Sequence, residues 1–118
     1  MSHTVLVVED DVELCEILCK ALELSGYAVV AAKDGKDALN KVSGIEGLCL
    51  VILDLVMPEM NGWDFVEQLR TRAEFATVPI IVHTSAPGPA PATVARVLRK
   101  PFPFDGLLAT VREYCAPA

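Results

Sequence analysis

Asp54 stands at the end of the most apolar run of the chain, Leu50–Leu53, and is followed by Leu55-Val56-Met57-Pro58 and the polar turn Glu59-Met60-Asn61-Gly62. Other segments end in the same way. Thr4–Val8 runs into Glu9, Asp10 and Asp11; Val78–Thr84 ends on Thr84 and Ser85; Arg96–Arg99 leads to Lys100 and Pro101. Three carboxylates brought close would repel and raise one another's pKa values. A hard divalent cation removes the conflict, and Mg²⁺ suits one or two carboxylates plus a phosphate. The Val56 carbonyl, in a loop fixed by Pro58, is a further oxygen for it. Beside such a cation the Asp54 carboxylate can attack phosphorus and form an aspartyl phosphate. Lys100, Thr84 and backbone N–H groups can then spread the charge of the transferring group.

These residues meet only if the segments carrying them lie side by side. Thr4–Val8, Tyr27–Ala32, Leu48–Asp54, Val78–Thr84 and Arg96–Arg99 read as strands. Val12–Ser25 reads as a helix capped by Asp11 and ended by Gly26, with Val12, Cys15, Leu18, Cys19 and Leu22 on one face. Asp34–Ser43 reads as a short helix with Asp34 as its cap and Gly44 as its stop. A third helix runs from Asn61 to about Arg72, with Trp63, Val66 and Leu69 on one side. A last one spans Pro103–Cys115, with Pro103 in its first turn. The first, third and fourth strands are apolar without alternation, as expected of strands covered on both faces. Strand alternating with helix predicts an α/β fold with a parallel sheet between helices, and chemistry then gathers at the carboxyl ends of the strands.

At 118 residues and 53% hydrophobic content, the chain is expected to form one domain, residues 1–118, with its own core. Its net charge of −6 argues against direct binding to nucleic acid or an anionic membrane, though not for any attached module. No apolar run approaches the ~20 residues of a membrane span, and the N-terminus lacks a signal-peptide pattern, so a cytoplasmic location is expected. The four cysteines, Cys15, Cys19, Cys49 and Cys115, form no C-x-x-C pair. They are expected to be small buried side chains in a reducing compartment, although Cys15 and Cys19 share a helix face and could hold a metal with other ligands.

The stretches "VLVVEDD", "LDLVMPEMNG", "PIIVHTS" and "KPF" together resemble the response-regulator receiver domain of two-component signalling, in order and over essentially the whole chain. The resemblance implies a flavodoxin-like three-layer sandwich, with a five-stranded parallel sheet of order 2-1-3-4-5. It implies that Asp54 accepts a phosphoryl group from a sensor histidine kinase or a phosphotransfer protein. Asp10, Asp54 and the Val56 carbonyl would bind Mg²⁺, with Glu9 helping through water. Thr84 would hydrogen-bond the phosphoryl group and move with it, Ser85 would help to bind it, and Lys100 would contact it from a loop fixed by Pro101 after a cis peptide bond. Such a domain catalyses its own phosphorylation and, slowly, its dephosphorylation, and signals to a downstream protein or an attached effector domain.

The sequence also departs from that family's pattern. Val97 stands three before the lysine, where an aromatic switch residue is common. Thr84 and Lys100 are only 16 residues apart, one to two helical turns fewer than usual. The deficit falls on "SAPGPAPATVA", Ser85–Ala95, so the fourth helix is expected to be short or irregular and the segment a mobile or reshaped partner surface. Val56 is apolar where a polar side chain could orient an attacking water, so a comparatively long-lived phosphoaspartate is expected. His83 is expected to pack in the core. Two other readings compete. A phosphatase of the haloacid-dehalogenase type needs a second Asp two residues after the first, and Val56 stands there. A pseudo-receiver, a binding module that keeps the fold without phosphorylation, is favoured by the short fourth helix and the missing aromatic, and opposed by the full set Glu9, Asp10, Asp54, Thr84 and Lys100.

Overall fold

Residues 3–117 are described by a computed structural model, in which strand and helix alternate through most of the chain. The elements are β1 (Thr4–Val8), α1 (Val12–Leu24), β2 (Ala28–Ala32), α2 (Gly35–Val42), β3 (Leu48–Leu53), α3 (Gly62–Arg70), a 3₁₀ turn (Ala73–Phe75), β4 (Ile80–Thr84), β5 (Arg96–Arg99) and α4 (Phe104–Tyr114). The strands form one sheet of order β2-β1-β3-β4-β5, every neighbour parallel. Three helices start where a side-chain oxygen accepts an orphan N–H: Asp11 from Leu14 at 3.1 Å, Asp34 from Asp37 at 2.8 Å and Asn61 from Asp64 at 2.9 Å.

The absence of alternation in β1 and β3 has a direct cause. Leu6, Val8, Val51 and Leu53 face one core with Val42 of α2 and Phe65 and Leu69 of α3. Val5, Val7, Leu50 and Ile52 face the other, with Leu18 and Leu22 of α1 and Leu107 and Val111 of α4. Both faces are apolar because both are covered, which gives three layers. Truncating one of these fully buried leucines to alanine costs about 2–5 kcal/mol, so the central strands are firmly seated and their ends are fixed points.

Several expectations need correction. Val12 is not on the buried face of α1 but 69% exposed, because the first turn overhangs the end of the sheet. Trp63 is exposed as well, and the buried face of α3 is Phe65, Val66 and Leu69. Pro103 occupies the N-cap of α4 rather than its first turn. Asp54 lies one residue past β3. The expectation of a short or irregular fourth helix, by contrast, agrees with the structure: between β4 and β5 the chain is irregular, with no helix among the described residues. The segment is reshaped into a strap with fixed anchors: Arg70 donates to Thr93 Oγ1, to Thr93 O and to the carbonyls of Phe75 and Val78, and Arg99 donates to the carbonyls of Ala86 and Gly88.

The cysteine expectation fails at two positions. Cys49, on β3, and Cys115, after α4, form a disulfide with Cα atoms 5.8 Å apart across 66 residues of sequence. Tyr27 seals the same corner by donating its hydroxyl to the Cys115 carbonyl at 2.5 Å. Cys15 and Cys19 remain thiols, their sulfurs 4.0 Å apart, and burial together with Cys15 pushes the Cys19 thiol up to about 12. Among the described residues no helix is long and apolar enough to cross a membrane.

Candidate functional site

The sheet register delivers the site. Val8 pairs with Leu53, Leu53 with Val82, and Thr84 with Arg99, so the residues that follow come out at one edge. Ladder hydrogen bonds continue one step past the strands. Glu9 N–H donates to Ala32 O at 3.0 Å, Asp54 N–H to Val8 O at 3.0 Å, and Lys100 N–H to Thr84 O at 2.8 Å. The chain leaves β1 for β2 on one side and reaches β3 on the other, and the carboxylates stand at this reversal, where open α/β sheets form their crevice.

Asp54 is 6% exposed and engaged on both oxygens. The Thr84 hydroxyl donates to Oδ1 at 2.7 Å and the Val56 N–H to the same oxygen at 3.2 Å; Lys100 Nζ reaches Oδ2 at 3.0 Å. The same ammonium donates to Glu9 Oε1 at 2.8 Å, and Glu9 Oε2 accepts the Asp11 N–H at 3.2 Å. Glu9, Asp10 and Asp54 each offer a carboxylate oxygen, all within 4.8 Å of one another. The Lys100 ammonium pairs with Glu9 and Asp54, while the third acidic group, Asp10, is exposed. This oxygen-rich, under-neutralised corner fits a hard divalent cation.

The electrostatics divide the two buried carboxyls. Burial pushes Glu9 up to about 7, against the hydrogen bonds from Lys100 and the Asp11 N–H. Burial would also raise Asp54, but the bonds from Thr84, Lys100 and the Val56 N–H outweigh it and hold that carboxyl below its usual range. Burial alone would lower Lys100; the two carboxylates win and raise it, so the ammonium stays charged. The pair therefore favours an ionised Asp54 beside a Glu9 that gives up its proton near neutrality.

The loop after Asp54 is held tightly. Gly62 N–H donates to Leu55 O at 2.9 Å, and a Cβ at Gly62 would lie 2.6 Å from Leu55 Cα and 3.0 Å from Asp54 O. Only glycine permits that approach. Glu59 carries the turn at φ +65, a left-handed conformation that costs a side chain about 1–3 kcal/mol.

Glu9, Asp10, Asp54, Thr84 and Lys100 are thus brought together. The Val56 N–H joins them while its side chain stays 56% exposed. Ser85 is exposed beside Lys100 and Pro101, and the hydroxyl on Asp54 is that of Thr84. The Lys100–Pro101 bond is cis. His83 is buried, and neither ring nitrogen has a partner among the described residues. Burial, followed by the charge of Lys100, lowers its pKa. Sequence reasoning missed the direct Glu9–Lys100 pair and the Arg99 fork; the one available signal was an arginine adjoining the lysine on an edge strand.

Comparison with known proteins gives a consistent result. The family model described as "Response regulator receiver domain" matches residues 5–112. The transcriptional regulatory protein CpxR homolog of Haemophilus influenzae is 39% identical over 80 residues, covering 68% of this chain and 33% of that protein. Response regulator MprA of Mycolicibacterium vanbaalenii is 33% identical over 118 residues, covering 95% of this chain and 50% of its own length. The chain therefore spans about a third to a half of these curated relatives. Among solved structures, the chemotaxis protein CheY4 of Vibrio cholerae aligns with a TM-score of 0.88 at 29% identity, covering 97% of this chain and 99% of that one. Response regulator TrrA of Thermotoga maritima, solved in complex with Mg(2+)-BeF, aligns with a TM-score of 0.83 at 28% identity, with coverage of 97% and 99%.

Proposed function

The chain belongs to the response regulator receiver domain family, and from that premise we propose that Asp54 is its phosphoacceptor. The observation that carries this is the pairing of Asp54 with the Thr84 hydroxyl on one oxygen and the Lys100 ammonium on the other, beside Glu9 and Asp10. An ionised Asp54 oxygen attacks the phosphorus of a phosphohistidine on a sensor histidine kinase or phosphotransfer protein. The new P–O bond forms as the P–N bond breaks, and its electron pair leaves with the imidazole. Lys100 neutralises charge on the transferring oxygens, and the Thr84 hydroxyl turns from the carboxylate to the phosphoryl group. In hydrolysis water attacks the phosphorus of the aspartyl phosphate, the P–O bond to Asp54 breaks, and its electron pair returns to the carboxylate as inorganic phosphate leaves, so the domain catalyses both steps on itself.

Asp10, Asp54 and the Val56 carbonyl, with Glu9 nearby, would hold Mg²⁺, which supplies charge neutralisation for the phosphoryl oxygens. The Mg(2+)-BeF complex of TrrA supports that assignment. Relatives that are transcriptional regulators support an output through a downstream protein or an attached effector domain. Its net charge of −6 argues against direct contact between this domain and nucleic acid. We place it in the cytoplasm, where its phosphodonors act.

Incubation with phosphoramidate in Mg²⁺ or in chelator, for wild type and Asp54→Ala, tests the reading. Uptake of one phosphoryl group by wild type in Mg²⁺ alone is expected. No uptake under any condition would mark a pseudo-receiver.

A further inference from the structure

The route from Asp54 to the strap runs through four links. Thr84 Oγ1 donates to Asp54 Oδ1 at 2.7 Å and accepts the Ala86 N–H at 3.1 Å. Ala86 is buried, and its carbonyl is taken by Arg99 Nη1. The other arm of the guanidinium, Nη2, donates to the Gly88 carbonyl at 2.6 Å. Arg99 is also the register partner of Thr84 across the β4–β5 ladder and immediately precedes Lys100. One residue therefore adjoins the lysine in sequence, the threonine in the sheet and the strap through its side chain.

The rest of the strap is anchored elsewhere. Arg70 holds Thr93, and the Ala95 N–H donates to Ile80 O at 2.8 Å. Gly88 turns at φ +85 with open space where a Cβ would stand, and its carbonyl accepts the Arg99 Nη2 bond. Among the described residues, the end of the strap wired to Asp54 is the first. Val97, at the place where the family commonly has its aromatic, is partly exposed and its side chain offers no hydrogen-bonding group.

We propose that Arg99 is the positioning residue that couples the phosphorylation state of Asp54 to the 85–95 strap, its fork on Ala86 and Gly88 favouring the unphosphorylated arrangement. The proposal rests on Asp54 being the acceptor. Phosphoryl capture asks the Thr84 hydroxyl to leave Oδ1 for a phosphoryl oxygen. Ala86 is tied to that hydroxyl by its N–H and to the guanidinium by its carbonyl, so Thr84 cannot move without pulling on the fork. A planar guanidinium holding two carbonyls resists such a shift more than an ammonium on one would. Coupling is reciprocal: if phosphorylation loosens the fork, loosening the fork must favour phosphorylation.

The test uses beryllium fluoride with Mg²⁺ as the phosphoryl probe, on wild type, Arg99→Ala, Arg99→Lys and Gly88→Ala, with Asp54→Ala as the control. Affinity is read by titration and the strap by amide exchange over residues 86–95. In wild type the probe is expected to speed exchange at those amides. In Arg99→Ala they exchange fast beforehand, the probe changes them little, and its affinity rises about fivefold or more. Arg99→Lys falls between, and Gly88→Ala, which disturbs the fork from the strap side, shifts affinity the same way. A structural role alone would lower the melting temperature and weaken the probe. Unchanged or weakened affinity in Arg99→Ala, or a strap response as large as in wild type, overturns the proposal while leaving Asp54 as acceptor. Failure of wild type to bind the probe overturns both.

Discussion

The Thr84 hydroxyl donates to Asp54 Oδ1 at 2.7 Å from the neighbouring strand, and Thr84 itself is fully buried. Its oxygen also accepts the Ala86 N–H. Thr84→Ala leaves a buried carboxylate oxygen and a buried N–H short of partners, so a stability loss of about 1–3 kcal/mol is expected. Thr84→Ser keeps the hydroxyl and loses only a methyl, at about 1 kcal/mol. Urea melts of the two variants check the difference.

Lys100 neutralises Glu9 and Asp54 but also repels any cation that Glu9, Asp10 and Asp54 hold. Lys100→Met should therefore melt earlier in chelator and bind Mg²⁺ more tightly than wild type, on the order of tenfold. Titration calorimetry at pH 8, above the value of about 7 that Glu9 has with Lys100 in place, reads the constant in wild type. A titration at higher pH in the variant allows for the rise in Glu9 that loss of Lys100 causes. Weaker binding in the variant would remove the carboxylates from the metal site.

His83 is lowered by burial and by Lys100, with Asp54 acting in the opposite sense. Its folded pKa is depressed, so below the ordinary histidine value of 6.5 the unfolded chain binds the extra proton. The contribution is full above that value and is lost as pH falls toward the depressed folded value. Glu9 titrates in an overlapping window with the opposite sign, stabilising below its unfolded value and losing that as pH rises through about 7. The difference between wild type and His83→Leu isolates the histidine. The variant is expected to gain relative stability as pH drops below 6.5, and to be the more stable form throughout, since it removes two unpartnered buried nitrogens.

Val56 exposes 56% of its surface beside Asp54, so Val56→Asn should change stability by less than about 0.5 kcal/mol. An amide there can orient water toward the phosphoryl group, and the phosphoaspartate lifetime should shorten by on the order of tenfold. Decay of label after removal of the phosphodonor measures it; equal lifetimes would show that Val56 shields nothing.

Much of the architecture was legible because it depends on local signals. Unbroken apolar runs marked strands covered on both faces, and Asp11, Asp34 and Asn61 marked helix starts. A parallel sheet then brings Glu9, Asp54, Thr84 and Lys100 to one edge without knowledge of any contact. Val12 and Trp63 misled because a helix keeps its period past the point where it stops covering the sheet. Cys49 and Cys115 could not be paired because their meeting depends on where α4 docks, 66 residues away. The strap between β4 and β5 has no period at all. Its shape is set by Arg70 and Arg99, whose partners, apart from the Thr93 hydroxyl, are backbone carbonyls and leave no trace in side-chain pattern.

The most direct measurement is chemical mapping of the phosphorylated residue. After exposure to acetyl phosphate with Mg²⁺, the acyl phosphate is trapped by borohydride reduction and located by peptide mass spectrometry. Conversion at Asp54 alone, absent in chelator and in Asp54→Asn, is the predicted result. Conversion at Asp10 or Glu9, or none at all in wild type that binds Mg²⁺, would contradict the account.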